Sequence, residues 1–458
     1  MVGSLSSLGL GSGLDLQNIL DQLKEADRYP IRRKESSQVE YKDKIEKLDS
    51  VQAKLLQGKE DALNLSLQST YMGRSTSLSD TSVLTANTLE GVETGSYYIK
   101  VNSLAQKSSW KADTGLASKD AMVNDTGGDL TFSYSVNGQG TSLNVASGTS
   151  LSSLASLINS DENNPGATAS VIKDGSGENS YKLLLESDSM GEEGRINITE
   201  QLTSYNISEE TGSASVLDAE IEVGGVSYQR ASNSIDDIIS GTTINLQSTG
   251  ETTLSVVADK QSVKDEIKSF VTNLKDIISE INKHSSYDVE AEEQGALYDV
   301  TSIRSFKSQL VNDVMRPYEG SGDITSMVDL GLEYTRDGGI TLDEDVLNNA
   351  VETNFEAVKE FMLGNSENET EGWADSVNER LRSATSSVDG IVKLERNSAK
   401  DTLDRLAKQI TNDQQRLDKK YDIMAKQFAQ LDSYMNEMNS MSSYLTQHFN
   451  ALDSSKDN

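Results

Sequence analysis

The chain has 458 residues, with 41 Lys plus Arg against 73 Asp plus Glu and a net charge of −32. Such a field argues against a nucleic-acid partner. Cysteine is absent, and His284 and His448 are the only histidines, which removes disulfides, thiolate chemistry, zinc clusters and nearly all histidine-based triads.

The predicted elements begin with a helix. Leu14, Leu16, Ile19, Leu20 and Leu23 share one helical face, with Ser12 and Gly13 before it and Asp15 and Asp21 in its opening turns. Pro30 interrupts and suits the first turn of a second helix, where its missing N–H is not needed. That helix carries Ile31, Gln38, Tyr41, Ile45, Leu48, Gln52 and Leu55 at a 3.5-residue period with polar interruptions, as in a coiled coil. From about residue 76 to 261 the composition turns to Ser, Thr, Gly, Asn and Val. Alternating runs at 96–101, 130–136, 181–185 and 219–223 read as strands. Asn137-Gly138 and Gly224-Gly225 read as hairpin turns. Residues 143–154 and 226–239 look like a repeated unit of strand, polar cap and short helix, which places a helix over Ile235–Ile239. Helix returns through Val263, Ile267, Phe270, Leu274, Ile277, Ile278 and Ile281. A hairpin at 331–342 turns at Asp337-Gly338, and one helix follows through Val346, Leu347, Ala350, Phe355, Val358 and Phe361.

The C-terminal end has the strongest pattern. Leu403, Leu406, Ile410, Leu417, Tyr421, Met424, Phe428, Leu431, Met435, Met438, Met441, Leu445 and Phe449 are spaced mostly by threes and fours, with no Gly or Pro after Ile391. One helix of about fifty residues, or two end to end, would extend about 75 Å. Its seam needs the N-terminal helix, another copy, or both, and should fray in the monomer and order on assembly. Four methionines in this stretch suit either a core or an adaptable self-association face. Charge is distributed accordingly. Residues 396–458 carry nine basic and nine acidic groups, 24–60 sum to +2, 1–23 to −2, and the middle holds the whole −32. Neutral ends can pack on copies of themselves; an acidic middle prefers solvent.

Catalytic patterns are not found. The run Gly9-Leu10-Gly11-Ser12-Gly13 has no preceding strand and reads as a lead-in to a helix rather than a phosphate cradle. Residues 161–172 fail as a calcium loop, with Pro165 at position five and Ile172 at position twelve. Ser108-Ser109-Trp110-Lys111 is a chance SxxK in a Ser-rich chain. Acid pairs such as Asp343, Glu344 and Asp345 suit a solvated face or helix start. Trp110 and Trp373 read as core or interface fillers, and the two histidines as structural or exposed. No catalytic, cofactor or metal residue is nominated, and an enzyme is not expected. No apolar run reaches the roughly 18 residues of a membrane span, and the N-terminus lacks the basic start and apolar stretch of a Sec-type signal.

The fold class expected is α+β multidomain. N- and C-terminal helices pair into a coiled-coil or helical-bundle leg, with a β-rich two-domain excursion inserted between them. The boundaries expected are 1–40 with 396–458 for the leg, 41–75 with 262–395 for a helical base, 76–118 with 200–261 for a β plate, and 119–199 for an inserted β domain.

Six segments in order then resemble one family. GLGSGLDLQNILDQLKEADRYPI, YYIKVNSLAQ, GTSLSSLASLINS with SYKLLLESDSMGEEGRINI, RASNSIDDIISGTTINLQSTGETTLSVVAD, LGLEYTRDGGITLDEDVLNNAVETNFEAVKEFM and MNSMSSYLTQHF resemble bacterial flagellar filament cap proteins, the FliD or hook-associated protein 2 family. The resemblance implies a homo-oligomeric ring at the flagellum tip, with five subunits as one count it allows. It implies flagellin as partner, contact with hook–filament junction proteins, a type III export chaperone, and export unfolded through the flagellar channel without a cleaved signal. The leg residues expected to make self-assembly and filament contacts are Leu14, Leu16, Ile19, Leu20, Leu23, Phe428, Leu431, Met435, Met438, Leu445 and Phe449. A junction or filament subunit, or a surface adhesin binding host glycans, are the alternatives.

Overall fold

The computed structural model describes residues 15–175, 177–210, 216–288, 293–318, 323–336, 338–365 and 370–453. Its α-helices in chain order are α1 (Leu16–Asp27), α2 (Tyr29–Leu65), α3 (Leu151–Asn159), α4 (Lys260–Ser285), α5 (Thr301–Met315), α6 (Glu344–Thr353), α7 (Phe355–Leu363), α8 (Trp373–Ala384) and α9 (Ile391–Asp453). The chain divides into two units: residues 1–67 with 264–458, and residues 68–263.

The first unit is helical. Asp15 caps α1, its side chain accepting from the Asn18 N–H at 3.2 Å, and Pro30 opens α2. Toward its C-terminal half α2 buries Leu48, Val51, Leu55, Ala62 and Leu65. Gly58 lies on that face because α4 passes close: a Cβ there would sit 2.7 Å from Ile277 Cδ1. α4 buries Ile267, Phe270, Leu274, Ile277 and Ile281, the periodic face read from the sequence. Trp373, fully buried at the start of α8, stacks on Phe361 at 5.8 Å, meets Phe270 edge-on at 5.1 Å, and donates its indole N–H to the Val314 carbonyl at 3.1 Å. The helix expected through Val346–Phe361 is two. Asn354 ends α6 and precedes α7 with φ −129°, outside helical geometry. The hairpin pairs Leu332–Tyr334 with Ile340–Leu342; Asp337 of its turn lies outside the described residues. Gly331 has φ +89°, and a Cβ there would collide with the Asp343 carbonyl. α9 is a single helix of 63 residues, about 95 Å at 1.5 Å per residue. It starts earlier than the apolar pattern does because no breaker follows Gly390.

The second unit holds fifteen strands among its described residues: β1 (Arg74–Leu78), β2 (Leu84–Thr88), β3 (Gly95–Ser103), β4 (Lys107–Ala112), β5 (Leu130–Val136), β6 (Gln139–Val145), β7 (Ala167–Lys173), β8 (Tyr181–Met190), β9 (Ile196–Glu200), β10 (Ile207–Glu209), β11 (Ala219–Val223), β12 (Val226–Arg230), β13 (Ser234–Ile239), β14 (Thr242–Leu246) and β15 (Gly250–Ala258). Two cores form. One lies on the antiparallel sheet β1-β15-β3-β11-β12 and the smaller sheet β13-β14-β2, and buries Ile99, Val101, Ile221, Ile235, Ile244 and Leu254. The other joins β10-β4-β8-β7 with β6-β5-β9 and α3 around Phe132, Tyr134, Leu151, Leu154, Ile158 and Leu185. Trp110 packs against this core and donates to the Ile196 carbonyl at 3.1 Å. Asn137 and Gly138, with φ +49° and +74°, make the two-residue turn between β5 and β6.

The segment Ile235–Ile239, expected as a helix, is a strand paired with β14. Its two buried isoleucines are four apart, a spacing that suits a helix face and a strand face equally. Pairing across Ser240-Gly241 to Thr242 decides for strand.

Candidate assembly surface

The leg is built where α1 and the start of α2 meet α9. Leu20, Ile31, Leu417, Tyr421 and Ala425 form a small buried cluster, with Ile410, Met424 and Phe428 against it. Charged pairs flank the cluster. Lys24 meets Asp418 at 2.8 Å and Lys34 meets Asp413 at 2.6 Å, while farther toward the start of α9 Arg396 meets Asp49 at 2.9 Å. Asp27 accepts from Lys420 and, at 2.8 Å, from the Tyr421 hydroxyl. The hydrogen bonds from Lys420, Lys34 and Lys24 hold Asp27, Asp413 and Asp418 below the ordinary aspartate range. Burial, and then Asp27, push the Tyr421 phenol up to about 12. The leg helices are therefore clasped by opposite charges.

Beyond Phe428 the same stripe continues along α9, where Asp432 is still buried while the large apolar side chains from Leu431 onward are exposed. Ile410, Leu417, Met424, Leu431, Met438 and Leu445 are seven apart, so one seam runs the length of the helix with a coiled-coil period. Its proximal half packs on α1 and α2. On its distal half Leu431, Tyr434, Met435, Met438, Met441, Tyr444, Leu445 and Phe449 are exposed. His448 is also exposed, with its ring edge-on to Tyr444 at 5.1 Å.

The residues expected from the sequence fall into three groups. Leu16, Leu20 and Phe428 pack within the chain, Leu16 and Leu20 being buried. Ile19, Leu23, Leu431, Met435, Met438, Leu445 and Phe449 are exposed, Met435 only just. Leu14 and the glycine run before it lie outside the described residues. Tyr434 and Tyr444 were missed. The 3-4-3-4 spacing of Leu431, Tyr434, Met438, Met441 and Leu445 would have found the first. Among the described residues no His, Cys, Asp and Glu cluster could hold a metal ion, and no helix is long and apolar enough to cross a membrane.

The family described as flagellar hook-associated protein 2 matches twice, its N-terminus over residues 12–108 and its C-terminus over 217–440. The chain belongs to the flagellar hook-associated protein 2 family. Between those matches a flagellin hook IN motif covers residues 129–189, the segment containing β5 to most of β8. The A-type flagellar hook-associated protein 2 of Pseudomonas aeruginosa is 25% identical, over 99% of this chain and 98% of that protein. The hook-associated protein 2 of Escherichia coli K12 is 27% identical, over 99% of this chain and 100% of its own. The crystal structure of the D1-D2-D3 domains of the flagellar cap protein FliD from Escherichia coli superposes with a TM-score of 0.51 at 21% identity, covering 77% of this chain and 99% of that one. The chain thus shares the fold of that structure, with helical ends around a β-rich middle.

Proposed function

We propose that this flagellar capping protein works as a homo-oligomer at the distal tip of the filament, outside the cell, where it confines exported flagellin and promotes its insertion. The observation that carries the reading is the α9 seam, packed within the chain at Ile410–Phe428 and carrying exposed apolar side chains from Leu431 to Phe449. A neutral leg with an unsatisfied coiled-coil stripe is suited to pack on copies of itself and on the filament end. The acidic β-rich unit stays solvated. The division into leg (1–40, 396–458), base (41–75, 262–395), plate (76–118, 200–261) and inserted domain (119–199) belongs to this reading. So do a ring geometry, contact with junction proteins, an export chaperone, and passage through the type III channel without a cleaved signal.

The mechanism needs no bond chemistry. A cover over the growing end raises the effective concentration of flagellin at the vacant lattice site. Methionine-rich contacts tolerate imperfect register, so a leg can release and re-engage as each subunit enters. A strain lacking this chain should secrete monomeric flagellin and grow no filaments, and the wild-type chain should restore them. Full-length filaments in the deletion strain would refute the reading.

A further inference from the structure

We propose that Met435, Met438 and Met441 form an oxidation-sensitive site, at which conversion of the thioethers to sulfoxides blocks assembly. The inference rests on the reading of the distal seam as the contact between copies. These three methionines lie within seven residues on α9. Met438 and Met441 are 65% and 61% exposed and Met435 is 37% exposed, so an oxidant in solution reaches all three before assembly. The chain has no cysteine to intercept that oxidant. Met327 and Met362 are fully buried in the first unit and are shielded.

The oxidant is a two-electron oxygen donor, hydrogen peroxide. A sulfur lone pair attacks one peroxide oxygen, an S–O bond forms, and the O–O bond breaks. Sulfur is oxidised by two electrons and the peroxide is reduced. The departing hydroxide takes up the proton of the new S–OH group and leaves as water, which gives the sulfoxide. The product carries a polar, chiral oxygen where an apolar seam needs a deformable side chain. Once copies have packed, the same sulfurs are covered, so the site responds before assembly and not after it.

The test uses the purified full chain. Hydrogen peroxide treatment is followed by peptide mass mapping of sulfoxides and by light scattering over a concentration series. Treatment should raise the concentration for half-assembly roughly tenfold or more, and methionine sulfoxide reductases with a thiol reductant should restore it. The triple variant M435L/M438L/M441L should assemble alike before and after treatment, although Met72, Met122 and Met190 on the second unit still oxidise. The proposal is overturned if treated wild-type chain assembles normally with sulfoxides mapped at the three positions. It is also overturned if those positions do not oxidise, or if the leucine variant loses assembly equally. Untreated chain that stays monomeric overturns both this proposal and the function it rests on; an untreated oligomer indifferent to oxidation overturns this one alone.

Discussion

Replacing Leu431, Met435 and Met438 together with aspartate should leave a folded monomer that no longer assembles. These side chains are 51%, 37% and 65% exposed in the single chain, so about half of each remains to be buried by a partner. Full burial of such a side chain is worth roughly 1.5–3 kcal/mol, so the three sites together offer about 2–4.5 kcal/mol per protomer. At about 1.4 kcal/mol per tenfold, that is a loss of roughly thirty- to a thousandfold in association, before the desolvation of three new carboxylates is counted. The described apolar contacts of the leg cluster lie at Ile410–Phe428 and do not include the substituted side chains. Light scattering reads the mass, and circular dichroism checks that the helix survives. The corresponding triple alanine variant, which keeps helix propensity and adds no charge, should show a smaller shift in the same direction. A normal oligomer from the aspartate variant at wild-type concentration would refute the reasoning.

Trp373→Ala should destabilise the first unit by about 3–5 kcal/mol, because it empties a site walled by Phe270 and Phe361 and orphans the Val314 carbonyl; urea unfolding measures it. Gly331→Ala should cost about 1 kcal/mol or more, since its φ of +89° and the nearby Asp343 carbonyl leave no room for a Cβ; its melting temperature reports this. Glu192 is held down to about 2 by Arg195 and the Leu217 N–H. Its folded pKa lies below the ordinary value of 4.5, so its contribution is present above about pH 4.5 and lost as pH falls toward 2. Glu192→Gln should therefore flatten the acid decline in the second unit's melting temperature over that window. A chain ending at residue 395 should keep the second unit's cooperative transition in calorimetry, because its two cores draw on residues 78–256.

The sequence made some elements legible because one interaction dominates each. Asn137-Gly138 has the positive φ values its composition foretold. The α4 face needs only the 3.6-residue period, and α9 lacks any residue that could stop it. The strand at Ile235–Ile239 was misread because an isoleucine spacing of four fits both periods, and only its pairing with Thr242–Asn245 distinguishes them. The break at Asn354 was missed because Phe355 resumes an apolar pattern that bridges it. At the candidate surface, periodicity located the seam on α9 but not where its cover ends. That limit is set by packing rather than by period: Phe428 is half-buried and Leu431 exposed although both carry the same apolar pattern.

The clasp between Lys34 and Asp413 joins residues 379 positions apart. A chain delivered one end first therefore presents its leading helices long before their mates arrive. The β-rich unit, whose strands pair within a shorter stretch, can acquire structure in the interval. The bundle is the closing event, and the span it must bridge adds only logarithmically to the entropic cost. The leg therefore closes only after residues far apart in the chain have both been made available, and its formation is the late step of folding.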